Sequence, residues 1–402
     1  MESFRKLGVI EPILKSIKEE NFKKPTEIQE KSIPLILSGK DVIAGSATGS
    51  GKTLAFGTGI IQNLKGGNGI QSLILTPTRE LAEQVTNALI TFSKYERLRI
   101  TAVYGGVAIG PQINKLRTAD VVVATPGRLL DHIERKTIRL TGVKILVLDE
   151  ADRMLDMGFI DDVTKIMRRC PRERQTLLFS ATISREIANL AGRYMKDPVK
   201  VEAEQYVDPA KLTQVYYDVP ENVKFSLLVH LLKHENTGLA MVFCNTRKNT
   251  DFVANNLEAA GVDAHAIHGG FSQAKRNSAL KYFNSQDACV LVCTDVAARG
   301  LDIPGVSHIY NYDLPNDSNE YIHRIGRTAR AGKEGKVINV LSSSSYDNFR
   351  RLSQDYNKDI NIVKETLPKV ELVKITWKES PRSFRKKPWN KKPGSFGGRR
   401  RY

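Results

Sequence analysis

A glycine-rich segment and an acidic segment have residue types that could bind and hydrolyse a nucleoside triphosphate. The first, residues 46–53, reads Ser-Ala-Thr-Gly-Ser-Gly-Lys-Thr and follows the apolar run 42–44. The second, residues 149–152, reads Asp-Glu-Ala-Asp and follows the apolar run 145–148. A glycine-rich turn that opens a helix can cradle phosphate oxygens with its backbone N–H groups. Carboxylates at the end of a strand can hold Mg²⁺ and orient a water molecule.

Each segment supplies side chains with a chemical role in this prediction. Lys52 would reach the β- and γ-phosphates, and Thr53 would offer its hydroxyl to Mg²⁺. Asp149 would hold the metal, partly through water, and Glu150 would orient and deprotonate the attacking water. Two plainer interpretations are an ordinary glycine turn before a helix and an acidic helix N-terminus. Because both segments occur together, the hydrolytic interpretation is favoured.

Size and charge narrow the class of protein. A chain of 402 residues that is 41% hydrophobic predicts two or three domains with full cores. The formal net charge of +17 favours a polyanionic partner, nucleic acid first and an anionic membrane surface second. Charge that only maintains solubility is the alternative. No apolar run approaches the roughly 18 residues of a membrane span and none of signal-peptide type opens the chain, so we expect a cytoplasmic protein.

The cysteines do not suggest a metal site in the sequence. They form no CxxC pair, and no histidine stands beside them at ligand spacing. We therefore expect all four to be reduced packing residues. They are Cys170, Cys244, Cys289 and Cys293.

Short apolar runs alternate with helical stretches along most of the chain. Continuous β-branched runs are typical of strands buried on both faces, and their alternation with helices predicts α/β architecture with parallel sheets. The runs are 42–44, 72–75, 100–104, 121–124, 145–148 and 176–179, then 241–243, 264–267, 290–292, 308–310 and 337–341. Polar or glycine-rich segments follow almost every run, so these segments should lie along one rim of each sheet.

The pattern changes at two places and predicts four segments. We expect a first domain over 1–203, a linker over 204–212, a second domain over 213–370 and a basic tail over 371–402. Residues 378–402 carry ten basic residues and one acidic residue, a net charge of +9, so this stretch should be disordered when free. Its interleaved aromatic residues could stack on nucleic-acid bases, although a merely solvated extension is the alternative.

The acidic segment spells DEAD, and the chain from about Phe4 to about residue 345 resembles the DEAD-box ATP-dependent RNA helicases. Residues 22–29 resemble the family's Q motif, with Phe4 as the isolated upstream aromatic. The resemblance implies two RecA-like domains in tandem, each a mostly parallel sheet flanked by helices. It also implies that Gln29 reads the adenine edge and so selects ATP. Ser46 and Ala47 depart from the family's usual Ala-Gln, and Ala329 from its usual Gly, with a modest expected effect on nucleotide affinity.

The resemblance implies further site residues, which divide by role. The nucleotide-binding residues would be Phe4, Phe22, Gln29, Ser46, Ala47, Thr48, Gly49, Ser50, Gly51, Lys52, Thr53 and Asp302. The RNA-binding residues would be Arg79, Gly106, Thr125, Arg128, Thr246, Gly269, Arg276 and Thr294. The residues coupling hydrolysis to strand separation would be Asp152, Ser180, Thr182 and His323. Arg327 and Arg330 would be arginine fingers, and their spacing with His323 predicts one helix face.

The expected activity is RNA-stimulated ATP hydrolysis coupled to local unwinding of short RNA duplexes. ATP with Mg²⁺ would draw the two domains together, and closure would complete a groove that grips the RNA backbone with little sequence preference. An ATP-gated RNA clamp that nucleates ribonucleoprotein assembly would use the same residues and stays open as an alternative. A DNA-directed motor is a third possibility, against which the full set of motifs argues.

Overall fold

Two seven-stranded sheets organise the chain, and every pairing between their strands is parallel. The computed structural model describes residues 1–45, 50–202, 211–235, 237–286, 289–298, 303, 305–329, 334–355 and 362–375. None of the described helices has the length and hydropathy of a membrane span.

The first sheet has the strand order β3-β4-β2-β5-β6-β1-β7. Its strands are β1 Val42–Gly45, β2 Ser72–Leu75, β3 Ile100–Val103, β4 Val121–Ala124, β5 Ile145–Asp149, β6 Gln175–Ser180 and β7 Val199–Glu202. The accompanying helices are α1 Glu2–Lys6, α2 Glu11–Glu19, α3 Glu27–Leu37, α4 Lys52–Asn63, α5 Arg79–Phe92, α6 Ile109–Leu116, α7 Pro126–Glu134, α8 Ala151–Asp156, α9 Ile160–Met167 and α10 Arg185–Tyr194.

The second sheet has the order β10-β11-β9-β12-β13-β8-β14, which repeats the connectivity of the first sheet strand for strand. Its strands are β8 Leu212–Asp218, β9 Leu239–Phe243, β10 Ala264–Ile267, β11 Cys289–Cys293, β12 Val306–Asn311, β13 Gly335–Leu341 and β14 Val363–Lys364. The helices are α11 Lys224–His234, α12 Arg247–Ala259, α13 Gln273–Asn284, α14 Asp295–Ala298, α15 Ser318–Ile325 and α16 Tyr346–Asp355, with a 3₁₀ turn at Ser343–Ser345. The predicted α/β architecture of two tandem, mostly parallel sheets is confirmed.

Burial on both faces explains the continuous apolar runs. In β2, Leu73 and Leu75 pack into one hydrophobic cluster and Ile74 into the cluster on the other face of the sheet, and all three are fully buried. Successive side chains of a strand point to opposite faces, so a sheet covered by helices on both faces has few solvent-facing positions. Every apolar run predicted as a strand forms one.

Three strands were missed because they alternate or are short. β7 and β8 mix polar and apolar residues, and β14 has only two residues. β8 begins at Leu212, inside the predicted linker, of which 204–210 lie outside the described residues. The chain is also still docked beyond residue 370, because the Val373 N–H donates to Ser226 Oγ at 3.0 Å. Of the predicted tail, 376–402 lies outside the described residues.

Buried polar side chains in the first half are held by specific partners. His132 of α7 is fully buried, with Nδ1 2.8 Å from Thr137 Oγ1 and Nε2 3.1 Å from Gln112 Oε1. Burial lowers the pKa of His132. The positive charge of Arg128 lowers the pKa further, and the negative charge of Asp131 only partly offsets these effects. The fold therefore favours the neutral imidazole.

We expect Ile74→Ala to lower the free energy of unfolding by about 2–5 kcal/mol, because it opens a cavity in a core that cannot fully collapse. Ile90 of α5 is 50% exposed, so Ile90→Ala should change the free energy of unfolding by less than about 1 kcal/mol. Urea unfolding of the full chain, followed by circular dichroism, compares the two. Equal losses would contradict the assignment of Ile74 to the core.

His132 should make the fold sensitive to acid. Its folded-state pKa lies below the unfolded value of about 6.5, so the unfolded chain takes up the proton first and stability falls as pH drops below that value. We expect His132→Gln to lose less stability between pH 7 and pH 5.5 than the wild type. His234→Gln, at an exposed histidine, should keep the wild-type slope. Parallel pH slopes for all three proteins in thermal unfolding would refute the role of His132.

Candidate nucleotide site and nucleic-acid interface

The sheet order brings the glycine-rich and acidic segments together. β5, β6 and β1 are consecutive neighbours in the first sheet. Because all three run parallel, their carboxyl ends meet at one rim. Asp149 ends β5, Ser180 ends β6, and β1 leads through Gly45 toward Lys52. Ser46, Ala47, Thr48 and Gly49 lie outside the described residues.

Lys52 lies between two acidic side chains in a buried cluster. Its Nζ is 3.2 Å from Asp149 Oδ1 and 3.7 Å from Glu150 Oε1. All three side chains are at most 6% exposed. Burial alone would lower the pKa of Lys52, but the charges of Asp149 and Glu150 outweigh it and raise the pKa. Lys52 is therefore a permanent cation at the start of α4.

Glu150 is held in an unusual backbone conformation. Its φ is +54°, in the left-handed region that costs a residue with a side chain of order 1–3 kcal/mol. The side chain is fixed by Arg153, whose Nη1 donates to Glu150 Oε2 at 2.9 Å. Arg153 is itself only 1% exposed, and sequence reasoning did not single it out. Its position one residue after the acidic tetrad was the available signal.

Two buried polar groups at the rim are incompletely hydrogen-bonded among the described residues. One is the Asp149 carboxylate, whose Oδ1 pairs with Lys52 Nζ at 3.2 Å, and the other is the Ser50 hydroxyl. Burial raises the pKa of Asp149, and the nearby Lys52 opposes this in part. Buried oxygens of this kind are normally satisfied, and carboxylate oxygens suit Mg²⁺. With the Thr53 hydroxyl one residue after Lys52, the donor set fits a magnesium ion bound with phosphates.

The Q-motif glutamine is bonded to the glycine-rich turn. Gln29 Nε2 donates to the Gly51 carbonyl at 2.9 Å, and Gln29 Oε1 accepts from the Thr26 N–H at 3.0 Å. Thr26 Oγ1 also donates to the Ser50 carbonyl at 2.7 Å. Gly51 has φ +86°, and a Cβ there would lie 2.3 Å from Gln29 Nε2, so only glycine fits. Both functional atoms of Gln29 thus already have protein partners.

The two aromatic residues assigned to the nucleotide occupy different environments. Phe22 is 42% exposed and lies 6.2 Å from the ring of Phe92. Its free face is available for stacking. Phe4 is completely buried in the first core cluster, together with Ile13 and Ile17. In this structure Phe4 therefore cannot stack on a base, and the prediction of direct nucleotide contact gives way to a packing role.

The acidic segment is tied to the end of β6 by a compact network. Asp152 Oδ2 accepts from the N–H groups of Ala181 and Thr182 at 3.0 and 2.9 Å and from the Thr182 hydroxyl at 3.2 Å. The Asp152 N–H donates to Ser180 Oγ at 3.1 Å, and Ser180 Oγ donates to the Thr182 carbonyl. The structure thus joins three of the four residues expected to couple hydrolysis to RNA. The fourth, His323, is outside this network but approaches Arg153, the residue after Asp152.

Candidate RNA-binding residues of the first half cluster around the turn after β3. A Cβ at Gly106, where φ is +81°, would lie 1.8 Å from Arg79 Nη1, so the guanidinium packs directly on the glycine. Arg128 Nη2 donates to the Val107 carbonyl at 3.0 Å, and Arg128 Nη1 donates to Gln112 Oε1 at 3.3 Å. Thr125 is the N-cap residue of α7, and its N–H donates to the carbonyl of Val103 at the end of β3, at 3.0 Å. Gln112 links this turn to His132.

Candidate RNA-binding residues of the second half lie at strand ends, with one exception. Thr246 caps α12 by accepting from the Asn249 N–H at 3.1 Å, Gly269 follows β10, and Thr294 follows β11. Arg276, by contrast, faces the first half of the chain. Its Nη1 lies 2.9 Å from Glu80 Oε1, and it is 9% exposed. Burial lowers the pKa of Arg276, which Glu80 opposes.

Further contacts connect the two halves around this ion pair. Gln273 Nε2 also donates to Glu80 Oε1, at 2.8 Å, and Asn277 Nδ2 donates to Glu83 Oε2 at 3.1 Å. At the nucleotide side, Arg153 Nη2 lies 3.4 Å from His323 Nδ1. The halves thus meet at both the acidic segment and α5. RNA contact by Arg276 stays a prediction, and its pairing with Glu80 has no signal in the sequence because the two residues lie in different halves.

Arg324 anchors the C-terminal end of α15, just before the predicted arginine finger Arg327. This role had no signal in the sequence. The side chain of Arg324 donates to both carboxylate oxygens of Asp295 at 2.6 Å, to Asn311 Oδ1 at 3.0 Å, to the Asp313 carbonyl at 2.6 Å and to Asn245 Oδ1 at 3.0 Å. All five donors of a guanidinium are used. This fixes the end of α15 against three strand ends.

The predicted single helix face for His323, Arg327 and Arg330 is wrong. α15 ends at Ile325 with Gly326 as its C-cap, so Arg327 lies in the turn beyond the helix. Arg327 is 2% exposed, whereas Arg330 and Asp302 lie outside the described residues. Ala329 has φ +52°, a conformation that glycine adopts without cost. The glycine usual in the resembled family is therefore explained by the backbone, and alanine is strained there.

Comparison with known proteins identifies the family. Residues 26–190 match the DEAD/DEAH box helicase family model, and residues 223–332 match the helicase conserved C-terminal domain. The ATP-dependent RNA helicase CshA of Listeria monocytogenes is 46% identical over 362 residues, which cover 89% of this chain and 69% of that protein. The DEAD-box ATP-dependent RNA helicase CshA of Geobacillus kaustophilus is 46% identical over 346 residues, 85% of this chain and 74% of that protein.

Solved structures add information on the arrangement of the two halves. Saccharomyces cerevisiae Dbp5 bound to RNA and ADP BeF3 is 33% identical, with a TM-score of 0.82 over 91% of this chain and 96% of that chain. A DEAD box protein from Methanococcus jannaschii is 42% identical, but its TM-score is only 0.56 over 90% and 99% of the two chains. In overall structure this chain is thus more similar to Dbp5 than to the Methanococcus jannaschii protein. By its sequence relatives, its paired family models and its fold, this chain belongs to the DEAD-box ATP-dependent RNA helicases.

Proposed function

We propose that this chain hydrolyses ATP at a site divided between its two halves and uses closure of the halves to bend and locally separate short RNA duplexes. The observation that carries the proposal is that the buried cluster of Lys52, Asp149, Glu150 and Arg153 continues across the cleft to His323. A site completed only on closure makes hydrolysis depend on whatever favours closure.

The roles of the first-half residues follow from their positions. Lys52 would bind the β- and γ-phosphates, which would compete for it with Asp149 and Glu150. Glu150, turned by its left-handed backbone and held by Arg153, would orient the attacking water and accept its proton. Asp149 and Thr53 would hold Mg²⁺, which would neutralise charge on the phosphates. Gln29 supports the turn at Gly51, and recognition of adenine would use its remaining hydrogen-bonding capacity.

The second half would supply positive charge to the γ-phosphate. Arg327 lies in the turn held by Arg324 and, together with Arg330 and Asp302, is our candidate for that role. Through its contact with Arg153, His323 would couple closure of the halves to the position of the acidic segment. The Asp152 network would then pass the state of the nucleotide to the end of β6.

RNA would bind along the strand ends that carry Arg79, Gly106, Thr125 and Arg128 in the first half and Thr246, Gly269 and Thr294 in the second. Contacts from backbone, hydroxyl and guanidinium groups read phosphate and ribose, so little sequence preference is expected. Because ATP and RNA would both favour the closed arrangement, each should tighten the binding of the other. A cytoplasmic location, where both are abundant, completes the proposal.

Glu150→Gln should retain binding of ATP and RNA but lose most hydrolysis, because the amide cannot accept the proton of the attacking water. We expect RNA-stimulated phosphate release to fall by about 100-fold or more. Glu173→Gln, at an exposed glutamate, is the matched control and should hydrolyse ATP like the wild type. Rapid turnover by Glu150→Gln would refute the assigned base.

The same assay separates the alternative activities. Wild-type protein should be stimulated by a ribo-oligonucleotide and not by the deoxy strand of the same sequence, and it should separate a short RNA duplex in ATP. Equal stimulation by the deoxy strand would indicate a DNA-directed motor. A long-lived RNA complex in ATP without strand separation would indicate a clamp.

Arg276→Gln should lower RNA-stimulated hydrolysis by about 5- to 100-fold, because it removes a contact between the halves that we assign to the closed state. Lys281→Gln removes an exposed positive charge from the same helix and should have little effect. A double-mutant cycle that combines Arg276→Gln with Glu80→Gln distinguishes loss of the ion pair from loss of a direct RNA contact. If the effects of Arg276→Gln and Glu80→Gln add fully, Arg276 acts independently of Glu80 and the closure role fails.

A further inference from the structure

A mixed cluster of metal-ligating side chains lies on the second sheet, on strands that carry none of the ATP-site residues. Asp263 precedes β10, His265 is the second residue of β10, and Cys289 opens the neighbouring strand β11. The parallel register pairs Ala264 with Val290 and His265 with Leu291. Because side chains two residues apart share a face, Asp263 and His265 lie on one face beside Cys289.

The three ligand atoms converge. The carboxylate oxygen, the imidazole nitrogen and the sulfur all lie within 4.8 Å of one another. His265 Nε2 is 3.1 Å from Asp263 Oδ1, yet it is buried and makes no hydrogen bond of ordinary geometry with a described residue. Ligands around Zn²⁺ at about 2.0–2.3 Å would be about 3.3–3.8 Å apart, so small side-chain rotations suffice.

Surrounding groups fix the orientation of these side chains. Tyr282 of α13 donates its hydroxyl to Asp263 Oδ2 at 3.1 Å, and its ring packs edge-on against His265 with centroids 4.5 Å apart. Metal ligands are commonly oriented by such outer hydrogen bonds. Cys289 is 3% exposed, whereas the side chains of Asp263 and His265 are 44% and 39% exposed. An ion could therefore enter from the solvent side and reach the buried sulfur.

We propose that Asp263, His265 and Cys289 form a binding site for a zinc-class divalent cation that links the edge strand β10 to β11. One sulfur, one imidazole and one carboxylate suit Zn²⁺ better than Mg²⁺, with water in the fourth position. The thiol proton leaves to solvent when the thiolate binds the ion. All four cysteines are free and buried, as expected of packing residues. Their spacing along the chain could not reveal this cluster, because its ligands become neighbours only through strand pairing.

Cobalt is the probe that tests the proposal, because thiolate coordination gives a charge-transfer band and tetrahedral geometry gives intense visible bands. Titration of the metal-free full chain with Co²⁺, without nucleotide, should show one saturable site with both signatures, bleached by Zn²⁺. Cys289→Ser and His265→Ala should lose the signatures, and Cys170→Ser, at another buried thiol, should retain them. Tyr282→Phe should weaken binding by about tenfold or more.

A comparison of Tm with and without Zn²⁺ tests metal binding and also controls for misfolding of the variants. Zn²⁺ should raise the Tm of the wild type and of Cys170→Ser, and it should leave the Tm of Cys289→Ser unchanged. Circular dichroism verifies that each variant is folded. Absence of a thiolate-to-cobalt band in the folded wild type, or its persistence in Cys289→Ser, would overturn the proposal. Neither readout depends on ATP or RNA, so the result is independent of the proposed helicase activity.

Discussion

The buried charge cluster at the end of β5 is the constraint on which the rest of the structure depends. Lys52 lies 3.2 Å from Asp149, and Glu150 is bound by Arg153, all nearly without solvent. Buried charges are costly unless each has a partner, so removal of one member leaves another uncompensated. The parallel strands β5, β6 and β1 must therefore stay adjacent. Helices must also cover both faces of the sheet to exclude water from the charge cluster.

The same cluster also touches the second half of the chain. Arg153 uses Nη1 on Glu150 and brings Nη2 near His323 of the second half. Glu80, at the start of α5, accepts from Gln273 and pairs with Arg276. The two halves are therefore in contact both at the acidic segment and at α5.

Much of this could be predicted from sequence because local pattern determined it. Continuous apolar runs gave the strands, and parallel topology then placed the following polar segments on one rim. Contacts between distant segments had no such signal. The Glu80–Arg276 pair, the Arg153–His323 contact and the five bonds of Arg324 depend on how separate elements meet. Phe4 was misassigned because an aromatic residue in a motif gives no indication of its burial.

The end of α15 could have been predicted from a local rule for helix termini, whereas two strained backbone positions could not. Gly326 is a plausible helix stop, and it ends α15 before Arg327. The left-handed backbone at Ala329 and at Glu150 could not be read from alanine or glutamate, since neither residue favours it. Both strained positions adjoin residues assigned to the γ-phosphate. That location agrees with the tendency of strained backbone to collect at functional sites.

Closure of the two halves on joint binding of ATP and RNA is the central claim, and energy transfer between dyes measures it directly. Cysteines introduced at exposed Glu134 of α7 and Glu258 of α12 would carry the dyes, since the native cysteines are buried. We expect a high-transfer state only with ATP and RNA together in Glu150→Gln, and its loss in wild type as ATP is consumed. Transfer that is the same with and without both ligands would contradict the claim.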